Sequence, residues 1–390
     1  MVRTIWSFAT VAYPAPALFE AFARHATGKI GVFNAQDLAN TVWAFVTTGQ
    51  CSSAEDLFRA VASRASDNII RTFNAQNLAN TAWAFATAGF GELATVETSL
   101  FKAIAGRSIN IMETFQAQQI ANLAWAFATA RLRQPELFSA MKTRAMAIAA
   151  SFKAQEVANL LWAFVTLAHD EPDLFEAFLQ PVVCNVAHMD SRAMRPILWA
   201  YNTYVLKGRL HPLSLDPKFY RRFATSAHRD EKDLTVLNQW RLTMDKQTYE
   251  KVVRNIPAMK ALFDQAMGNV SALSVRASHF QSDVGVILKN IGEPFAEEFV
   301  CPRTQYSIDF ASWDRMIALE VNGPSHFLRD GSFDGATLFK DGVLKKYGWT
   351  VVHVNGEEWA SLGDDRERKQ AFLRQKLAAA QQRTITTHQC

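Results

Sequence analysis

One fifteen-residue phrase recurs four times in the first half of the chain: FNAQDLANTVWAFVT from Phe33, FNAQNLANTAWAFAT from Phe73, FQAQQIANLAWAFAT from Phe115 and FKAQEVANLLWAFVT from Phe152. Its tryptophans are Trp43, Trp83, Trp125 and Trp162. Weaker copies bring Trp6 and Trp199 into register, and the successive gaps are 37, 40, 42, 37 and 37 residues. A period of that length marks stacked supersecondary units, each of which buries its apolar face only against the next copy. The phrase therefore predicts a helical-hairpin solenoid, and solenoids are mostly binding surfaces.

The local signals within one copy agree. Asn34 is placed to N-cap a helix, with Asp37 three residues on. Leu38, Val42, Phe45 and Val46 then recur at helical spacing, Ala39 and Ala44 are small where a neighbouring helix must approach, and Thr47-Thr48-Gly49 ends the run. A second helix is predicted from about Ala54, with Leu57, Phe58, Val61 and Ala65 apolar. The copy at Met189–Tyr204 departs from the pattern, with Arg192 in place of the Gln and Pro196 in place of the Asn. It reads as the atypical unit that ends the stack.

Two kinds of polar column run through the copies. The constant one, Gln36/Gln76/Gln118/Gln155 with Asn40/Asn80/Asn122/Asn159 four residues on, reads first as a hydrogen-bonded ladder between successive repeats and second as contact with bases. The variable one is the better candidate for reading a sequence: Asn34, Asn74, Gln116 and Lys153, paired with Asp37, Asn77, Gln119 and Glu156. A code of one unit per repeat uses two or three such side chains, although first-turn polar residues also serve a helix N-terminus. The tryptophans, beside Phe45, Phe85, Phe127 and Phe164, read as core rather than as base-stacking platforms. Arg64, Arg107 and Arg144 form a last column, suited equally to phosphates and to the C-terminal ends of the second helices.

Charge constrains the partner only loosely. The net charge is +4; residues 1–205 carry 15 basic and 15 acidic side chains, residues 206–270 carry 12 and 7, and residues 271–390 carry 14 and 15. The excess lies in the middle, around Arg209, Lys218, Arg221 and Arg222, where it supports nucleic-acid contact without demanding it. The four cysteines are far apart and form no CxxC or Cys/His cluster, so neither a zinc site nor a disulfide framework is expected. No run of 18 apolar residues predicts a membrane span. The opening MVRTIWSFATVAYPAPALF has the look of a short leader. But IWSFAT aligns with the core of the phrase and Leu18-Phe19 with the later LF pairs, so it reads as half a repeat, with further repeats or a targeting segment expected upstream.

From about Ser274 the periodicity changes. A helix through Val284, Ile287, Leu288 and Ile291 precedes three β-like runs, Phe295–Val300, Tyr306–Ala311 and Met316–Val321. A helix over Gly335–Lys346, a strand over Trp349–Val354 and a polar helix near Arg366–Leu377 complete an α/β domain with a small mixed sheet. The whole is thus read as a multidomain α+β chain: a repeat array over 1–205, a basic, partly helical connector over 206–273, the α/β domain over 274–380 and a tail over 381–390.

The Gln-x-x-Ala-Asn-x-x-Trp-Ala-Phe core resembles the octotricopeptide repeat, a helical hairpin of organellar RNA-binding proteins. The run Ile308-Asp309-Phe310, Leu319 to Phe327 (LEVNGPSHF), Gly335-Ala336-Thr337, Gly348-Trp349 and Glu358-Trp359 resembles the RAP domain, which is named for RNA binding. RAP domains in turn resemble the PD-(D/E)xK nucleases near the very-short-patch repair endonucleases, a restriction-endonuclease-like fold. That resemblance implies Asp309 and Glu320 as ligands of Mg²⁺, with Asn322 where the E-x-K lysine would stand and His326 as an acid or base. The combination implies an organellar protein, mitochondrial or chloroplastic, that binds single-stranded RNA alongside other RNA-processing proteins and touches no membrane. Two alternatives stay open: a Mg²⁺-dependent RNA endonuclease, and a protein-interaction scaffold.

Overall fold

The computed structural model describes residues 1–66, 68–89, 94–225, 230–268 and 278–387. The expected start of the α/β domain at Ser274, the end of the tail and Cys390 lie outside them. The chain divides into two compact units, Met1–Ala200 with Leu215–Arg222, and Tyr201–Ser214 with the chain from Phe223 onward. Among the described residues no helix is long and apolar enough to cross a membrane.

The first unit is a stack of helical hairpins. Their first helices are α1 (Val2–Thr10), α3 (Ala35–Thr47), α5 (Ala75–Ala88), α7 (Ala117–Thr129) and α9 (Ala154–Thr166). Their second helices are α2 (Pro16–Thr27), α4 (Glu55–Ser66), α6 (Ala94–Asn110), α8 (Pro135–Ala147) and the broken pair α10 (Pro172–Ala177) and α11 (Leu179–Asn185). The atypical copy supplies α12 (Ser191–Leu206), which carries Pro196 inside it, and α13 (Pro217–Thr225), of which the residues up to Ala200 and up to Arg222 belong to this unit. First helices pack on first helices and second on second, and the first-helix row packs more closely along its length. The small residues Ala39, Ala44, Ala79, Ala84, Ala121, Ala126, Ala158 and Ala163 are all buried, which permits that approach.

Two periodic contacts hold the stack. The Phe of each LF pair meets the core Phe of the next repeat edge to face: Phe19–Phe45 at 5.1 Å, Phe58–Phe85 at 5.2 Å, Phe101–Phe127 at 4.9 Å and Phe138–Phe164 at 4.9 Å between centroids. Such pairs add about 0.5–1.5 kcal/mol beyond the area they bury. Within a repeat, the second helix is stapled to the start of the first. Arg107 Nε donates to the Phe73 carbonyl (3.2 Å), Arg144 Nε to Phe115 (3.0 Å), Asn185 Nδ2 to Phe152 (3.0 Å) and Arg222 Nε to Met189 (3.3 Å). The arginine column at Arg107 and Arg144 thus bonds to the start of the first helix rather than to the end of its own. It closes the hairpin.

In the second unit, α14 (Glu231–Thr243), α15 (Lys246–Asn255) and α16 (Ala258–Gly268) precede α17 (His279–Asn290). Strands β1 (Ala296–Val300), β2 (Ser307–Ser312) and β3 (Ile317–Asn322) form an antiparallel meander. Helix α18 (Gly335–Lys346) then crosses to β4 (Thr350–Asn355), which runs parallel to β3, giving the order β1-β2-β3-β4. Helices α19 (Gly356–Ser361) and α20 (Arg366–Thr387) follow, so the segment expected as a tail from 381 is helical to Thr387. One face of the sheet buries Leu319, Val321, Val352 and Val354 against Val284, Ile287 and Leu288 of α17 and Leu373 and Leu377 of α20. The residues read as a connector are largely built into this unit. Asn238 Nδ2 of α14 donates to the Thr304 carbonyl, Lys346 Nζ of α18 reaches the carbonyls of Leu242 and Thr243, and Leu242 packs with Phe339 and Val343.

Candidate functional site

Each first helix of the array shows two faces. One carries the core phenylalanine, fully or almost fully buried at Phe45, Phe85, Phe127 and Phe164. The other carries Gln, Asn and Trp at i, i+4 and i+7, which helical geometry places in one line. Gln36, Gln76, Gln118 and Gln155 are exposed, while the four Asn and the four Trp side chains are half-buried. The tryptophans are thus not core, contrary to the sequence reading; Trp6, in the same register on α1, is 41% exposed. Burial of a helix inside a stack leaves one stripe open, and the Trp falls on that stripe two residues before the Phe that fills the core.

The expected amide ladder is also absent. Among the described residues no hydrogen bond joins these Gln and Asn side chains to the next repeat, and the one amide pair formed, Gln155 Nε2 to Asn159 Oδ1 at 2.8 Å, runs along a single helix. Two amides four residues apart on a helix are neighbours on its surface and can reach each other there.

The variable column has a local job in every copy. Asn34 Oδ1 accepts from Asp37 N–H at 2.9 Å while Asp37 Oδ2 accepts from Asn34 N–H at 3.2 Å, a reciprocal capping box. Asn74 and Asn77 repeat it at 2.9 and 3.3 Å. In the third copy Gln119 Oε1 accepts from Gln116 N–H at 2.7 Å, and in the fourth Glu156 Oε2 accepts from Lys153 N–H at 2.8 Å. The Lys153 ammonium has no acceptor to return, so that box is half made. Asn34, Asn74, Gln116 and Lys153 stay exposed at the rim of the first-helix row; Asp37, Gln119 and Glu156 are partly covered and Asn77 is buried. Arg221 and Arg222 are exposed on α13, where Arg222 also makes the staple to Met189.

In the second unit the strand register brings together titratable residues that are far apart in sequence. Phe310 pairs with Leu319, which puts Asp309 opposite Glu320, and Glu320 pairs with His353 on β4. Asp309 Oδ2 accepts from the Val321 N–H at 2.7 Å. Glu320 is 4% exposed; its Oε2 lies 2.6 Å from Lys340 Nζ of α18, and among the described residues its buried Oε1 has no hydrogen-bond partner. Burial pushes the Glu320 carboxyl up to about 7, against the pull of Lys340, and raises that of Asp309 as well. Asn322, 1% exposed, turns to His353, its Nδ2 2.6 Å from Nδ1, and His353 Nε2 lies 2.8 Å from Asp341 Oδ2. His326 Nδ1 lies 3.2 Å from Thr337 Oγ1.

Sequence reasoning placed Asp309 beside Glu320 but missed Lys340, His353 and Asp341. Lys340 lies twenty residues beyond Glu320, on a helix whose spacing signals only its apolar side. Among the described residues no group of three His, Cys, Asp or Glu side chains could hold a metal, and the cation that Glu320 faces is the Lys340 ammonium.

Comparison with known proteins bears on both units. The RAP domain model matches residues 319–376, a span that includes Glu320, Lys340 and His353 but not Asp309. The chain is also similar to a protein of Oryza sativa subsp. japonica named RAP domain-containing protein, chloroplastic, with 34% identity over 101 residues, or 26% of this chain and 15% of that protein's length. The repeat array falls within a second match, over residues 1–208. With more than half of its length so matched, the chain belongs to the family of RNA-editing substrate-binding complex 6 proteins.

Proposed function

We propose that this protein binds single-stranded RNA along the first-helix side of its array and works in an organellar RNA-processing assembly, in a mitochondrion or a chloroplast. The observation that carries the reading is the open stripe itself: half-buried indoles and amides without partners in the next repeat, repeated at the period of the stack. Amides match base edges and indoles match base faces. The family's name supports an RNA substrate and a multiprotein setting, and the rice relative's name supports an organelle. As in octotricopeptide-type recognition, the rim pairs from Asn34/Asp37 to Lys153/Glu156 supply what selectivity there is, helped by Arg221 and Arg222.

The α/β domain serves this function as a binding element. Its helix, three strands, helix, strand order supports descent from a PD-(D/E)xK nuclease, but Lys340 already supplies the charge that Glu320 lacks. Fluorescence anisotropy of the purified full chain with labelled single-stranded and duplex RNA, with and without Mg²⁺, tests both parts. Single-strand binding that weakens with salt and leaves the RNA intact is expected. No binding to any single strand would sink the reading and favour a protein scaffold. Mg²⁺-dependent cut ends that vanish in Glu320→Gln would restore the nuclease.

A further inference from the structure

We infer that the constant stripe is a sequence-neutral track, in which Trp43, Trp83, Trp125 and Trp162 each take one base on their open faces and the amides three and seven residues before each hold the strand. This rests on the reading of the array as an RNA surface, and it divides the labour within it. The rim residues change from copy to copy; the track residues do not.

Three observations carry the inference. First, the four indoles are only half-buried, in helices that bury a phenylalanine fully or almost fully two residues away. Second, among the described residues no hydrogen bond or ring contact engages any of the four side chains, although edge-to-face aromatic pairs recur throughout the core beneath them. Third, the Gln and Asn columns share their face, and in the first three copies those amides have no hydrogen-bond partner among the described residues. A surface identical in four consecutive units cannot discriminate between the units it meets. Base stacking on aromatics is tolerant of sequence for its own reason, because every base has a π-face. The helices of this row pack at about 8–10 Å between axes, and one base per repeat is the spacing helical repeat arrays use. The amino ends of four aligned helices edge the stripe, and a helix amino end favours the negative charge of a polynucleotide over an uncharged peptide.

The test uses the full chain and its Trp83→Ala/Trp125→Ala double variant, with Trp83→Phe/Trp125→Phe as the conservative pair. Circular dichroism checks folding. Binding is read by anisotropy with labelled U30, A30 and C30, and by quenching of intrinsic indole fluorescence. The wild type should bind all three within about tenfold of each other with quenching. The alanine pair should lose about a hundredfold on all three alike, about tenfold per base stacked, and the phenylalanine pair should keep most of the affinity. Unchanged RNA affinity in a folded alanine pair would overturn the track while leaving the array an RNA surface. A loss confined to one homopolymer would overturn its neutrality. If the wild type binds no RNA, the underlying reading fails with it, and binding of a labelled random-peptide pool through the same tryptophans would put an extended peptide there.

Discussion

The repeat array and the α/β domain satisfy their polar groups over very different ranges. In the array the bonds are mostly short and periodic: a capping pair three residues apart, a staple of about thirty residues inside one hairpin, the same geometry in copy after copy. In the α/β domain, titratable side chains from four elements converge once, with Asp309 on β2, Glu320 on β3, Lys340 on α18 and His353 on β4. Local bonds make an array extensible, since one more copy brings its own partners. A converged cluster can be built only once, and each member depends on the others. Substitutions in the two regions should therefore differ in size, in pH dependence and in additivity.

The largest effect expected in the array comes from its apolar core. Phe127 is fully buried against Phe101, and Phe127→Ala should cost about 3–5 kcal/mol, measured by denaturant unfolding. A loss below about 1 kcal/mol would mean that the repeats do not depend on their Phe pairs. In the α/β domain the counterpart is Lys340→Met, which strips the ammonium from a buried carboxylate. Breaking such a pair costs about 3–5 kcal/mol, and the low end is expected because Glu320 can take up a proton instead. The double variant Glu320→Gln/Lys340→Met should recover most of the loss, whereas an additive double would show that the pair is not coupled.

The pH dependence should run in opposite directions. Burial holds the Glu320 carboxyl near 7 in the folded protein, above its value in the unfolded chain, so the folded state binds more protons between about pH 4.5 and 7. The stability this group contributes is present below that window and lost as pH rises through 7. His169 in the array is the reverse. It is buried and stacked on Phe138 at 4.3 Å between centroids, and burial, with the charge of Arg133, lowers it to about 4. Its contribution is present above about pH 6.5 and lost as pH falls through 4. Melting profiles from pH 4 to 8 should lose their acid limb in His169→Phe and flatten toward neutral pH in Glu320→Gln. If neither variant changed its own limb, the burial assigned to these groups would be wrong.

What was legible in the sequence follows the same division. The array was read nearly residue by residue, because its apolar spacing and its caps are local signals; Asn34 caps α3 as its spacing with Asp37 predicts. The Gly335–Lys346 helix was bounded as observed and the strands to within a residue or so. The misreadings concern direction and distance. Trp43 and Phe45 are equally apolar in the alphabet of the sequence, and only the angle each makes with the next helix decides which is covered. The Gln36 and Asn40 columns suggested a ladder because identity across copies does not reveal whether a side chain spans the gap. Lys340 was missed because its partner is set by strand register and a crossover, neither of which leaves a periodic trace.

The smallest effect is the finest test of locality. Asn34→Ala and Asn74→Ala each remove the acceptor half of a capping box, for about 1 kcal/mol apiece, and their double variant should show the plain sum because each bond closes within one helix. Lys153→Ala occupies the same position in the fourth copy. It should change stability by no more than a few tenths of a kcal/mol, since the bond there runs from the Lys153 backbone to Glu156 and survives the substitution. Equal losses at Asn34 and Lys153 would mean that these positions act through neighbouring repeats and not through their own caps. The contrast between an array of local bonds and a domain of converged ones would then fail at its simplest point.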